Sequence, residues 1–177
     1  SERLAVLERA LAAGPGYLDV EQRVPRAERL RRFGSRERTR LILSSHRFEA
    51  DASLAGIAAL AGELAAEPAD LLKLAVAVTD AAELWPLYQA LRQDPRPVLR
   101  LGLGAAGLLS RALAGRFGSP WTYVVPDGTP PLAPGQLTLG TARAWRLTEA
   151  AELAPLVLLG GPQVIGSPGP RVYNRLF

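Results

Sequence analysis

Asp70-Leu71-Leu72-Lys73-Leu74-Ala75-Val76-Ala77-Val78 is an apolar run carrying one ammonium group, and Lys73 is the only lysine in the chain, the other 20 of its 21 lysine-plus-arginine side chains being arginine. Read as a β-strand, the run places Leu71, Lys73, Ala75 and Ala77 on one face and Leu72, Leu74, Val76 and Val78 on the other. The lysine shares its face mostly with small residues. A long cation on so apolar a strand must reach water, find a carboxylate, or sit with a lowered pKa in a cavity. The last outcome is how amine nucleophiles are made. On the strand alone, a lysine that snorkels along its own four-carbon stem stands ahead of that reading.

Outward from this strand, extended and helical patterns alternate. A helix is expected from Glu2 to Ala13, stopped by Gly14, followed by a short strand Tyr17-Leu18-Asp19-Val20-Glu21. A helix from Pro25 to Phe33 leads to the buried strand Thr39-Arg40-Leu41-Ile42-Leu43-Ser44-Ser45, which ends at His46. Ser53 can cap a helix through Leu64 that Pro68 closes, ahead of the Lys73 strand. Then come a helix from Ala81 to Arg92, a strand from Pro97 to Leu103, and a glycine-rich turn into a helix holding Ser110 and Arg111. A strand over Trp121-Thr122-Tyr123-Val124-Val125, the segment Ala133-Pro134-Gly135-Gln136-Leu137 and a helix from Thr141 to Ala154 complete the series. Such alternation predicts an α/β fold, a parallel sheet with covering helices, and leaves barrel and open-sheet versions both standing. Glycine and proline become dense from Leu156, so residues 1–155 are expected to form one domain and 156–177 a tail.

Composition narrows the chemistry. The 177 residues suffice for one core, and no apolar run approaches the length of a membrane span. The first residues carry no secretory pattern, which makes a cytoplasmic location the expectation. Without cysteine there is no disulfide, thiolate catalysis or cysteine metal site, and with His46 as the single histidine a histidine-based metal site is not expected either. The net charge of +4 suits a protein that handles anions. Much of the excess sits between Arg23 and Arg40, where interspersed glutamates predict a solvated helix face with internal ion pairs. No aromatic interleaving there points to nucleic acid.

Consecutive strands of βαβ units usually lie side by side, so the only histidine and the only lysine are expected to project from neighbouring strand ends. An imidazole beside an amine suggests proton transfer at a carbon next to an imine.

Leu43-Ser44-Ser45-His46-Arg47-Phe48, then Asp70-Leu71-Leu72-Lys73-Leu74-Ala75, Leu109-Ser110-Arg111, Gly118-Ser119 and Ala133-Pro134-Gly135-Gln136, together with Tyr17-Leu18-Asp19-Val20-Glu21, resemble type I 3-dehydroquinate dehydratase in the same order. The resemblance implies a (β/α)8 barrel of the TIM type and the dehydration of 3-dehydroquinate to 3-dehydroshikimate in the shikimate pathway, with no metal and no organic cofactor. By the same resemblance Lys73 forms the Schiff base, His46 moves the protons, Arg111 holds the substrate carboxylate and Gln136 hydrogen-bonds the substrate. A homodimer is left open, and neither nucleic acid nor membrane is an expected partner. Two departures stand out: Leu132 replaces the serine that precedes Ala-Pro-Gly-Gln in the family, and only six of the eight barrel strands can be counted, the family's first two being missing. Residues Val164 to Pro168 with Tyr173 to Phe177 are more faintly similar to the opening of shikimate dehydrogenase. The competing readings are another lysine-imine barrel of the class I aldolase kind, and a non-catalytic homologue that binds a shikimate-pathway metabolite or a protein partner.

Overall fold

The computed structural model describes residues 2–49 and 53–147, so the boundary near residue 155 and the tail 156–177 lie outside the described residues. Helix α1 (Glu2–Ala12) leads to β1 (Tyr17–Glu21), α2 (Arg26–Phe33), β2 (Arg40–Arg47), α3 (Leu54–Ala65) and β3 (Leu71–Ala77). After a 3-10 turn over Ala81–Glu83 come α4 (Leu84–Gln89), β4 (Val98–Leu103), α5 (Leu108–Ala112), a second 3-10 turn over Gly115–Phe117, then β5 (Val124–Val125), β6 (Leu137–Thr138) and α6 (Leu139–Ala144).

All pairings are parallel. Strands β1 to β4 lie in sequence order, β1-β2-β3-β4, and β5 pairs with β6. A doubly wound open sheet reverses its order at a switch point, whereas a barrel adds each strand beside the last, and the observed order is the barrel's. The sheet is also curved inward. A flat sheet would hold β1 and β4 three strand spacings apart, about 14 Å, and the segment after β4 no nearer, yet the Tyr17 and Trp121 rings meet edge-on with centroids 5.0 Å apart.

Alternation sorts the strand residues into two environments. Leu43, Leu72, Leu74, Val76 and Val98 face outward into a core completed by α3 and α4, and Leu18, Val20 and Leu41 face α1 and α2. Each such leucine or valine contributes about 1.5–3 kcal/mol by its burial. The inner face carries Ile42, Leu71 and Leu99 in one cluster and Ala75, Leu101 and Leu103 in the next, with Trp121, Tyr123 and Ala133 packed over them.

Some elements are shorter than their patterns predict. The expected Ala81–Arg92 helix splits because Asp80 and Glu83 form a capping box that closes a 3-10 turn before α4 begins. Only Val124 and Val125 pair within the expected Trp121–Val125 strand, because their partner β6 is confined between the positive-φ turn at Gly135 and the N-cap at Thr138. The arginine-rich segment also departs from expectation. Arg32 makes one internal pair with Glu28 at 2.9 Å, but Arg29 reaches Glu67, Arg32 reaches Glu8 and Arg36 reaches Asp70, so the ion pairs fasten α2 and the turn after it to neighbouring elements.

Candidate active site

The register aligns inner-face residues into rows. One row runs Glu21–Ser44–Lys73–Leu99; the row before it runs Asp19–Ile42–Leu71, and the row after it places His46 beside Ala75 and Leu101. The sole histidine and sole lysine therefore stand on neighbouring strands and one face, as the alternation requires, with His46 one row nearer the carboxyl ends.

Each of the two side chains has its own carboxylate. Lys73 Nζ donates to Asp19 Oδ2 at 2.9 Å across β2, and lies 4.8 Å from the centroid of the Tyr123 ring. Of the outcomes open to a strand lysine, the structure takes the carboxylate. His46 Nδ1 makes a short contact to Glu21 Oε1, and its ring stacks on Phe48. A carboxylate oxygen can only accept, so Nδ1 carries a proton in this pair, and in the neutral form of the ring Nε2 is the nitrogen with the lone pair. Among the described residues no hydrogen bond or ion pair joins His46 directly to Lys73.

Arg111 is held from the other side of β4. Ser110 Oγ donates to Gly107 O at 2.6 Å and accepts from Gly102 N at 2.8 Å, which clamps α5 onto the strand end. The approach is so close that a Cβ on Gly107 would stand 2.3 Å from the Gly102 carbonyl, which explains the glycine. Arg111 is 2% exposed, its Nε has no hydrogen-bond partner among the described residues, and burial pushes its pKa below the ordinary arginine value. Glu21 Oε2 and Ser44 Oγ, neighbours in one row, are likewise buried without partners. Orphaned polar atoms are rare in interiors and ask for a ligand or water to complete them.

The segment 133–136 docks on the same end of β4. Gly104 N donates to Pro134 O at 3.2 Å, and Ala133 joins the cluster of Ala75, Leu101 and Leu103. Gln136 Oε1 accepts from Leu132 N at 2.9 Å, so the amide NH2 is the part of Gln136 left to donate outward. The Leu132 side chain itself is 85% exposed and takes no part.

Sequence reasoning assigned no role to Asp19, Glu21 or Tyr123. The signal for the first two was the strand Tyr17-Leu18-Asp19-Val20-Glu21, whose acids alternate with buried apolar residues and so share one face. Among the described residues, no group of three or more histidine, cysteine or acidic side chains is placed to hold a metal, and no helix is long and apolar enough to cross a membrane.

Against known proteins, the model of the type I 3-dehydroquinase family matches residues 1–147. A 3-dehydroquinate dehydratase of Desulfotalea psychrophila is 33% identical over 147 residues, covering 80% of this chain and 65% of that protein. One from Dehalococcoides mccartyi is 31% identical over 140 residues, covering 78% and 62%. Among solved structures, the 3-dehydroquinate dehydratase of Geobacillus kaustophilus superposes with a TM-score of 0.70 at 23% identity over 86% of this chain and 61% of that one. The dehydroquinate dehydratase and shikimate dehydrogenase of S. pombe gives 0.72 at 23% identity, over 86% of this chain and 29% of that one. The chain spans a little under two thirds of the length of these single-activity relatives.

Proposed function

This chain belongs to the type I 3-dehydroquinase family, and from that membership we propose that it dehydrates 3-dehydroquinate to 3-dehydroshikimate through an imine on Lys73. The observation that carries the proposal is that a nearly buried amine and an imidazole with one ring nitrogen unengaged stand on one face of neighbouring strands, each against its own carboxylate, while a buried guanidinium whose Nε has no partner among the described residues lies on the helix clamped to the end of β4.

The chemistry follows from the partners. Asp19, hydrogen-bonded to Nζ, is the nearest acceptor for the proton that Lys73 must lose before it attacks the substrate ketone. Loss of water from the adduct gives an iminium, which acidifies the neighbouring C–H. His46 Nε2 takes that proton while Glu21 fixes Nδ1, then returns it to the departing hydroxyl, which leaves as water. Hydrolysis of the imine frees the amine and releases the product. Arg111 matches a planar carboxylate with two parallel donors, and desolvation strengthens that pairing. The Gln136 amide supplies a further donor to the substrate. No step calls for a metal or an organic cofactor.

Borohydride reduction of the protein in the presence of 3-dehydroquinate tests this reading, with the modified peptide mapped by mass spectrometry. An adduct on Lys73 accompanied by turnover is expected. Substrate binding with neither adduct nor turnover would favour the non-catalytic homologue, and an adduct on another residue would refute the assignment of Lys73.

A further inference from the structure

Ser44 and Ser45 are consecutive in β2, and both hydroxyls are buried without a hydrogen-bond partner among the described residues. They face opposite ways. Ser45 shares the outward face with Leu43, which packs in the core with Ile57 and Leu60 of α3. Ser44 lies on the inner face, in register between Glu21 of β1 and Lys73 of β3. It is wholly buried, and the row ends on the β4 side at the equally buried Leu99. On the β1 side Glu21 Oε1 is engaged by His46, while Oε2 is buried with no partner among the described residues. Lys73 Nζ has three donors and gives one to Asp19.

One row thus brings together an acceptor, a hydroxyl that can both donate and accept, and a donor. Leaving such groups unpaired in an interior is costly, and a molecule that meets all three removes the cost. This is the partner set of a buried water, which makes about three hydrogen bonds to groups otherwise unsatisfied. Ser45 offers no comparable set. Its register neighbour is Leu74, and a lone hydroxyl among leucines falls short of the two or more polar partners that a buried water needs.

We propose that Glu21 Oε2, Ser44 Oγ and Lys73 Nζ hold one water molecule, that Ser44 is the positioning residue for it, and that this water hydrolyses the Lys73 imine. This rests on the imine chemistry proposed above. The water oxygen bonds to the iminium carbon as one of its protons passes to Glu21 Oε2, giving a carbinolamine. The C–N bond then breaks with its electron pair going to nitrogen, and the O–H pair of the carbinolamine becomes the second bond of the ketone. Both protons of the water end on Nζ, one by way of Glu21. The lysine is left as an ammonium beside Asp19, the pairing seen in the structure. Imine formation runs the same steps backwards and returns the water to the same place.

A high-resolution crystal structure of the unliganded chain is expected to show a water within about 3.2 Å of both Ser44 Oγ and Glu21 Oε2, and its absence overturns the site. The step itself is read by mass spectrometry, as the enzyme-dependent exchange of the 3-dehydroshikimate ketone oxygen with water labelled in heavy oxygen. That exchange needs imine formation and hydrolysis but no removal of a proton from carbon. It is expected to slow by about tenfold in Ser44→Ala, the worth of one hydrogen bond to the water. Ser45→Ala, as buried and as unpartnered on the other face, is expected to exchange at the wild-type rate, whereas a merely structural effect would appear in both variants. A rate unchanged in Ser44→Ala, or slowed alike in the two, overturns the role of Ser44. Exchange by a chain that does not turn over 3-dehydroquinate would keep the water and refute the dehydration. A wild type without exchange would overturn the hydrolytic role together with the imine.

Discussion

Lys73 lies in the same row as Glu21 but pairs with Asp19, one row back and two strands away, while Glu21 pairs with His46. Two acids two residues apart on one strand thus serve two different nitrogen bases. Asp19 positions the amine, and Glu21 sets the tautomer of the imidazole. The small side chain of Ser44 between them leaves room for the lysine to cross β2.

Asp19→Asn is expected to lower stability. A wholly buried pair stripped of one partner costs about 3–5 kcal/mol, but Asp19 is about a third exposed and its screening reduces this to about 1–2 kcal/mol. Urea unfolding at neutral pH measures it. An unchanged midpoint would mean that the ammonium is solvated rather than paired.

Glu21→Gln addresses the histidine. Because His46 is the only histidine, a long-range proton–nitrogen correlation spectrum contains a single imidazole pattern. The wild-type pattern is expected to show protonated Nδ1, and the variant a tautomer mixture, because an amide can donate as well as accept. Under the proposed dehydration kcat should fall by about a hundredfold or more with KM little changed, the scale of a misplaced general base. An unaltered tautomer would leave Glu21 without a positioning role.

Much of this architecture was legible because strand periodicity is strict. Once β3 is a strand, Lys73 must share a face with Leu71 and Ala75, and parallel order then brings His46 onto that face. Arg111 and Gln136 were found through resemblance alone, since a residue on a five-residue helix or in a proline-rich loop has no periodicity to announce it. The carboxylate partners escaped because an acid on a strand says nothing about which cation will reach it across an intervening strand. Arg100 was read inside its strand, but a strand position does not say that a guanidinium there will be buried against the Ala90 and Phe117 carbonyls, which come from segments before and after β4.

Stability is expected to decline at both ends of the pH scale, for separable reasons. Burial alone would raise the pKa of Asp70, but the Leu41 N–H at 2.7 Å and the Arg36 guanidinium at 2.9 Å override it and hold the carboxyl below its ordinary 3.8. Hydrogen bonds from Arg96 likewise lower Asp94, against an opposing contribution from burial. A depressed folded value contributes stability that is present above the ordinary pKa and lost as pH falls below it. Tyr88 behaves oppositely: burial raises it from 10.0 to about 12, so its contribution is present below pH 10 and lost as pH rises toward 12. Unfolding free energies across pH are expected to show a flatter acid limb in Asp70→Asn and a flatter alkaline limb in Tyr88→Phe. Limbs identical to the wild type would assign the titrations elsewhere.

Arg111 sets stability against binding. Its guanidinium is the largest wholly buried side chain among the described residues, and no acid faces it there. A lone buried cation costs free energy that a methionine of similar length would not, so Arg111→Met is expected to stabilise the chain by about 1–3 kcal/mol in urea. The same change removes the bidentate donor for a carboxylate, so the stabilisation conferred by 3-dehydroquinate on the wild type should vanish in the variant. The two readouts have opposite signs, and that opposition is what a site kept for its ligand rather than for the fold must show. A variant that is both less stable and still shifted by the substrate would make Arg111 a structural residue.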